Sequence, residues 1–214
     1  MVQILVASRN AKKLRELHRV LHAAGITDVE LLSLRDVPEY PETPETGATF
    51  ADNALIKARD GVHHTGLPTV ADDSGICVDA LNGMPGVLSA RWCGKHGEDA
   101  TNNALLLGQL ADVPEERRGA HYVSVCALAL PADLAPAAGL PEETTVEGVW
   151  HGTLRTEPRG GGGFGYDPLF IPEEEPGTTV AELSAERKDE LSHRGKALAQ
   201  LVEPLKQLAA ARKL

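Results

Sequence analysis

Two adjacent carboxylates, Asp72 and Asp73, followed by Ser74 and Gly75, close a short apolar run at Thr69 to Ala71. A strand that ends in such a group delivers acceptors to the carboxyl edge of a sheet, where α/β proteins keep their ligand crevices. Adjacent residues of an extended chain point to opposite sides, so one of the two aspartates is expected to face the crevice. With Glu45, from Glu45-Thr46-Gly47, that carboxylate could hold Mg2+, a hard cation that takes few carboxylates and completes its shell with substrate phosphate oxygens. Asp-Asp-Ser-Gly on its own is equally compatible with an Asx-type turn that binds nothing.

Groups suited to an anion lie elsewhere in the chain. Ser8-Arg9-Asn10-Ala11-Lys12-Lys13 straddles a strand end and a helix start, where unpaired N–H groups and partial positive charge suit phosphate. The segment lacks P-loop glycines, and without a ligand it would be a cap with surface lysines. Asn53 and Lys57 stand i, i+4 on one helix face just after Glu45. Residues 159–170, Arg-Gly-Gly-Gly-Gly-Phe-Gly-Tyr-Asp-Pro-Leu-Phe, place five glycines in six positions, which suits backbone that must bend or approach a ligand. Phe164 and Tyr166 offer flat faces and Asp167 an acceptor, a set able to grip a purine ring. A hairpin tip with tucked-in aromatics is the bland alternative. Lys188 and Ser192-His193-Arg194 form the last group. With Ser192 as an N-cap, His193 and Arg194 enter the first helical turn, unfavourable for cations that lack an acceptor partner.

The elements that must position these groups follow from periodicity. Val2 to Ala7 reads as a buried strand and Ser8 to Asn10 as a turn. A helix with Leu14, Leu17 and Leu21 on one stripe then runs to about Gly25. Val29 to Leu34 is a second strand. After the prolines at 38, 41 and 44, Thr49-x-x-Asp52 resembles a capping box opening a helix to about Gly61. Thr69 to Ala71 is expected as a short strand ending at Asp72, with Ile76 to Asp79 returning beside it. A helix over Asp99 to Leu110 precedes strands at His121 to Leu130 and Thr145 to Leu154, the latter broken by Gly148 and Gly152. Pro131 to Thr144 reads as a surface excursion and Leu169 to Ile171 as a strand. The last helix carries Leu198, Leu201, Val202, Leu205 and Leu208, with a kink expected at Pro204. This mixed order indicates α/β with a mixed sheet.

Composition narrows the function. At 214 residues and 42% hydrophobic, the chain supports one sizeable core, arranged as two lobes around a cleft. A net charge of −10 argues against broad nucleic-acid binding, which rests on neutralising many phosphates. It leaves room for a small phosphorylated ligand met by locally concentrated cations. The three cysteines, Cys77, Cys93 and Cys126, have no metal-type spacing and read as reduced thiols in a cytosolic protein. The N-terminal run lacks a basic leader, and no stretch approaches the roughly 20 apolar residues of a membrane span. A cytoplasmic location is therefore expected.

In combination and in this order, the motifs are specific. The sequence resembles the inosine/xanthosine triphosphate pyrophosphatase family, which hydrolyses noncanonical purine nucleoside triphosphates. The resemblance runs through Ser8-x-Asn10-x-x-Lys13, Glu45-Thr46-Gly47-x-Thr49-Phe50-x-x-Asn53-Ala54-x-x-Lys57-Ala58, Ala71-Asp72-Asp73-Ser74-Gly75, Phe164-Gly165-Tyr166-Asp167-Pro168 and Ser192-His193-Arg194. It implies a single domain over 1–214, with an elongated mixed β-sheet, flanking helices and two lobes around a central substrate cleft. It also implies a homodimer and dependence on Mg2+.

Carried over by position, the resemblance makes Asp73 the metal-linked general base and Glu45 a metal ligand. Ser8, Arg9, Asn10, Ala11, Lys12 and Lys13 become the triphosphate cradle, with Lys57 and Ser74 also on the substrate. Phe164, Gly165, Tyr166 and Asp167 hold the nucleoside, and Lys188, His193 and Arg194 approach the base. Asp189 departs from the asparagine expected after the lysine. The implied products are nucleoside monophosphate and pyrophosphate, from ITP, dITP and XTP. Three rival readings remain: a pyrimidine triphosphate pyrophosphatase, a non-catalytic nucleotide-binding regulator, and a phosphomonoesterase releasing orthophosphate.

Overall fold

Four of the five residues of Val2–Val6 are buried, as an apolar run covered on both faces requires. This strand, β1, pairs in parallel with β2 (Val29–Ser33) and with β3 (Thr69–Val78). With β4 (Gly119–Ala129), β5 (Glu143–Leu154) and β6 (Phe170–Pro172) it forms a six-stranded sheet in the order β2-β1-β3-β4-β5-β6. β6 runs antiparallel to β5, so the sheet is mixed and the chain is α/β, as expected. The computed structural model describes residues 1–8, 11–41 and 43–211, and only the backbone at 11 and 12. Arg9 and Asn10 of the expected phosphate cradle therefore lie outside the described residues.

Among the described residues six α-helices accompany the sheet: α1 (Ala11–Ala23), α2 (Phe50–Thr65), α3 (Asp99–Gln109), α4 (Leu134–Ala138), α5 (Ala185–Leu191) and α6 (His193–Ala211). The chain packs as two compact units. The first takes Met1–Asp73, Val125–Glu147 and Gly195–Leu214; the second takes Ser74–Ser124 and Gly148–Arg194. In the first, Ile4, Val6 and Val70 pack with Leu17 and Leu21 of α1 and with Leu198, Leu201, Leu205 and Leu208 of α6. The leucine stripe of α6 continues across Pro204, with Leu201 and Leu205 on either side of it both fully buried. In the second, Ile76 and Val78 pack with Leu106 and Leu110 beside α3, and with Trp150, Tyr166, Leu169 and Phe170.

Several boundaries differ from the sequence reading. Asp72 to Gly75 form no turn; they lie inside one continuous strand, β3. The capping box is present, since Thr49 Oγ1 accepts the Asp52 N–H at 3.1 Å and Asp52 Oδ2 accepts the Thr49 N–H at 3.0 Å. The helix it opens passes Gly61, however, and ends at Gly66, whose left-handed φ of 67° makes the cap. Gly61 serves packing instead, because a Cβ there would stand 2.6 Å from Thr69 Cγ2. β5 runs unbroken through Gly148 and Gly152. The excursion at 131–144 contains α4, with Ala135 buried. No periodicity announced α5, whose seven residues are capped by Ser184.

Candidate active site

Parallel pairing of Leu5 with Thr69 and Val6 with Val70 sets the end of β1 beside the start of β3. In α1, the next element, Lys13 reaches Asp72 Oδ2 at 2.6 Å. Asp73, the next residue of β3, has different partners. Asn53 Nδ2 donates to its Oδ2 at 3.0 Å, and Lys57 Nζ stands 3.6 Å from its Oδ1. Both aspartates are buried. Their partners accord with the alternation of an extended strand.

Lys57 also donates to Glu45 Oε1 at 3.0 Å, so one ammonium bridges the two carboxylates expected to hold a metal. Glu45 is brought there by a strap that precedes α2 and is fastened along it. Gly47 N–H donates to Asn53 Oδ1 at 2.8 Å, Glu45 meets Lys57, Thr43 meets Asp60, and Tyr40 stacks on His64 with centroids 4.7 Å apart. Residues 53, 57, 60 and 64 form one stripe of the helix. Asn53 is fully buried and serves both sides, holding the strap through Oδ1 and Asp73 through Nδ2. Its spacing to Lys57 was visible in the sequence, but not its position as the joint between Glu45 and Asp73.

The electrostatics follow from this crowding. Burial raises the pKa of Asp73 above that of a free aspartate, against the charge of Lys57 and the Asn53 hydrogen bond, with Glu45 raising it further. Burial works against the charge of Lys57, yet Asp73, Asp72 and Glu45 together raise its pKa. Two carboxylates on one cation make a donor set of the kind Mg2+ uses with phosphate oxygens. Among the described residues no group of three or more His, Cys, Asp or Glu forms a dedicated metal cage.

The second unit carries a separate group. Asp167 is buried, and its Oδ2 accepts the Phe164 N–H at 2.8 Å and Lys188 Nζ at 2.5 Å. Burial raises its pKa, against the pull of the Lys188 ammonium. Gly163 permits this turn: it has a left-handed φ of 78°, and a Cβ there would fall 2.0 Å from Asp167 Oδ2. Phe164 is 53% exposed, an unusual state for a large apolar ring, and Lys188 Nζ lies 4.3 Å from its centroid. Tyr166, read from sequence as a second flat face, is buried and donates to the Ser89 carbonyl at 2.9 Å. Burial first, then the charge of Asp99, pushes its phenol well above the ordinary tyrosine range. His193 and Arg194 are the first residues of α6. The His193 ring stacks on Tyr122, centroids 4.8 Å apart and planes within 8°.

The structure thus brings Lys13, Glu45, Lys57 and Asp73 together, adding Asp72 and Asn53. Ser74 follows Asp73 in β3, half-buried, and the Ser8 N–H donates to the Val6 carbonyl at 2.8 Å. The structure separately gathers Phe164, Gly165, Tyr166, Asp167 and Lys188, and it sets His193 on Tyr122. Neither the supporting Tyr122 nor Ser89 carries any local signal in the sequence.

The chain is similar along its whole length to known proteins. A model of the Ham1 family matches residues 4–204. A dITP/XTP pyrophosphatase of Corynebacterium urealyticum is 68% identical over 208 residues, which are 97% of this chain and 98% of the relative. Another, from Corynebacterium jeikeium, is 63% identical over 216 residues, 97% of this chain and 100% of the relative. The crystal structure of a nucleoside-triphosphatase / dITP/XTP pyrophosphatase from Mycobacterium abscessus covers 95% of this chain and 100% of its own, with a TM-score of 0.77 at 61% identity.

Proposed function

This chain belongs to the Ham1 family, and on that footing we propose a specific chemistry for it. It is a nucleoside-triphosphate pyrophosphatase that hydrolyses noncanonical purine nucleoside triphosphates, those of dITP and XTP type, to monophosphate and pyrophosphate. The observation that carries the site assignment is Asp73 and Glu45 bridged by Lys57. Glu45 and Asp73 would hold Mg2+, which would supply charge neutralisation at the phosphate oxygens when bound. Asp73 accepts the proton of the attacking water through its buried carboxylate. Asn53 fixes the orientation of that carboxylate. An ammonium has three donors, so Lys13 can keep its bond to Asp72 and still offer N–H to the triphosphate. Lys57 supplies further positive charge, and Ser8 and Ser74 supply hydroxyls.

The second group reads the base. Phe164 stacks on the purine, and Lys188, His193 and Arg194 donate toward its position-6 oxygen. Adenine presents an amino donor there, which leaves such donors unpaired. The protein acts as a homodimer in the cytoplasm. A turnover in 18O-enriched water tests the chemistry: attack at the α-phosphorus puts the label in the nucleoside monophosphate. Label in pyrophosphate, or release of orthophosphate, would contradict it.

A further inference from the structure

Helix α3 contributes nothing to the reaction described above, yet two of its residues hold the loop that carries Phe164. Asp99 Oδ2 accepts the Gly165 N–H at 2.7 Å, and Asn103 Nδ2 donates to the Gly165 carbonyl at 2.9 Å. Four residues apart, the two side chains share one face of α3, and between them they engage both polar backbone groups of a single residue. Gly165 has a left-handed φ of 60°, so this clamp also fixes how its neighbours leave it. On one side Tyr166 is anchored through its hydroxyl to Ser89. On the other, Phe164 has its own N–H tied to Asp167 while its ring stays half-exposed.

Asn103 Oδ1 is buried and has no hydrogen-bond partner among the described residues. Leaving an acceptor unpaired within the chain costs more than one hydrogen bond returns. The amide nevertheless keeps the orientation that serves Gly165. A ring whose backbone is immobilised before any ligand arrives is what a stacking platform needs, and a solvated loop tip has no use for it.

We propose that Asp99 and Asn103 are positioning residues for base recognition, holding Gly165 so that Phe164 presents its ring to the purine. This rests on the reading that Phe164 stacks on the base, and the test separates the two. KM and kcat for inosine triphosphate with Mg2+ are measured for Phe164→Ala, Asn103→Ala, Asp99→Ala, Asp99→Asn and the double variant Phe164→Ala/Asn103→Ala. Stacking shared by ground and transition states is uniform binding, so its loss raises KM and spares kcat. Phe164→Ala is expected to raise KM by roughly 5- to 150-fold. Asn103→Ala and Asp99→Ala should each raise it by roughly 3- to 10-fold with kcat held within about twofold. Asp99→Asn keeps an acceptor and should return KM to within about twofold of the parent.

In the Phe164→Ala background, Asn103→Ala should change KM no further. Additive effects, or losses confined to kcat, overturn the positioning role. A raised KM in Phe164→Ala beside an unchanged KM in both Asp99→Ala and Asn103→Ala overturns it too, and leaves stacking intact. An unchanged KM in Phe164→Ala removes the stacking reading and this inference with it. Should Asn103→Ala fail to fold, the exposed Asp99 decides by the same comparison of alanine with asparagine.

Discussion

Asp73 keeps its negative charge in a place where burial disfavours it, and that has a measurable consequence at the scale of one residue. Its folded pKa is raised, so the folded chain holds the proton more tightly than the unfolded chain. The resulting stability is present in acid, below the unfolded value, and is lost as pH rises through the folded pKa. Asparagine never carries the charge. Without metal, Asp73→Asn is expected to melt above the parent at about pH 7, the gap closing toward about pH 4. Thermal melts in EDTA at both pH values check this, and a variant less stable at neutral pH contradicts it. Turnover of the same variant with Mg2+ should fall by about 10²–10⁴. Alternation along a strand made the separate orientation of Asp72 and Asp73 legible. Their partners were not, since Lys13 lies 59 positions from Asp72 and Asn53 lies 20 from Asp73.

At the scale of elements, the strap on α2 decides where Glu45 stands. Gly47 lies at its tightest point, where a Cβ would meet Asp52 Cβ at 2.5 Å and Asn53 Oδ1 at 2.7 Å. Gly47→Ala should therefore destabilise the protein by about 1–3 kcal/mol. The urea midpoint should fall at constant m, and kcat/KM should fall with it because Glu45 is displaced. Gly108, helical and exposed in α3, has open space where a Cβ would go. Gly108→Ala should stabilise the protein by about 0.5–1 kcal/mol and raise the midpoint. Equal effects at the two glycines would refute the strap argument. Helices with long stripes or a capping box, such as α1, α2 and α6, were legible as elements. Gly61 misled because its cause is Thr69, on another element. The Asp72–Gly75 stretch misled because a strand can carry two buried carboxylates once cations from distant elements meet them. The seven residues of α5 are too few to show a period.

For the whole molecule, a net charge of −10 and cations gathered around a few carboxylates fit a small anionic ligand better than a long polyanion. Among the described residues no helix is long and apolar enough to cross a membrane. EDTA should abolish turnover and added Mg2+ restore it, without a matching loss of secondary structure by circular dichroism; activity that persists in EDTA removes the metal from the mechanism. Sedimentation velocity is expected to show a dimer, and a monomer at assay concentration that still turns over would set the homodimer aside. The central claim is that this chain cuts triphosphates according to the 6-oxo group of the base. Its most direct test is kcat/KM for inosine triphosphate against ATP, in the parent and in Arg194→Ala, with pyrophosphate measured as product. The expected result is a preference for inosine triphosphate of at least about 10²-fold, narrowed by roughly 5- to 150-fold in Arg194→Ala through a slower inosine reaction. Equal efficiency on the two nucleotides in the parent protein would contradict it.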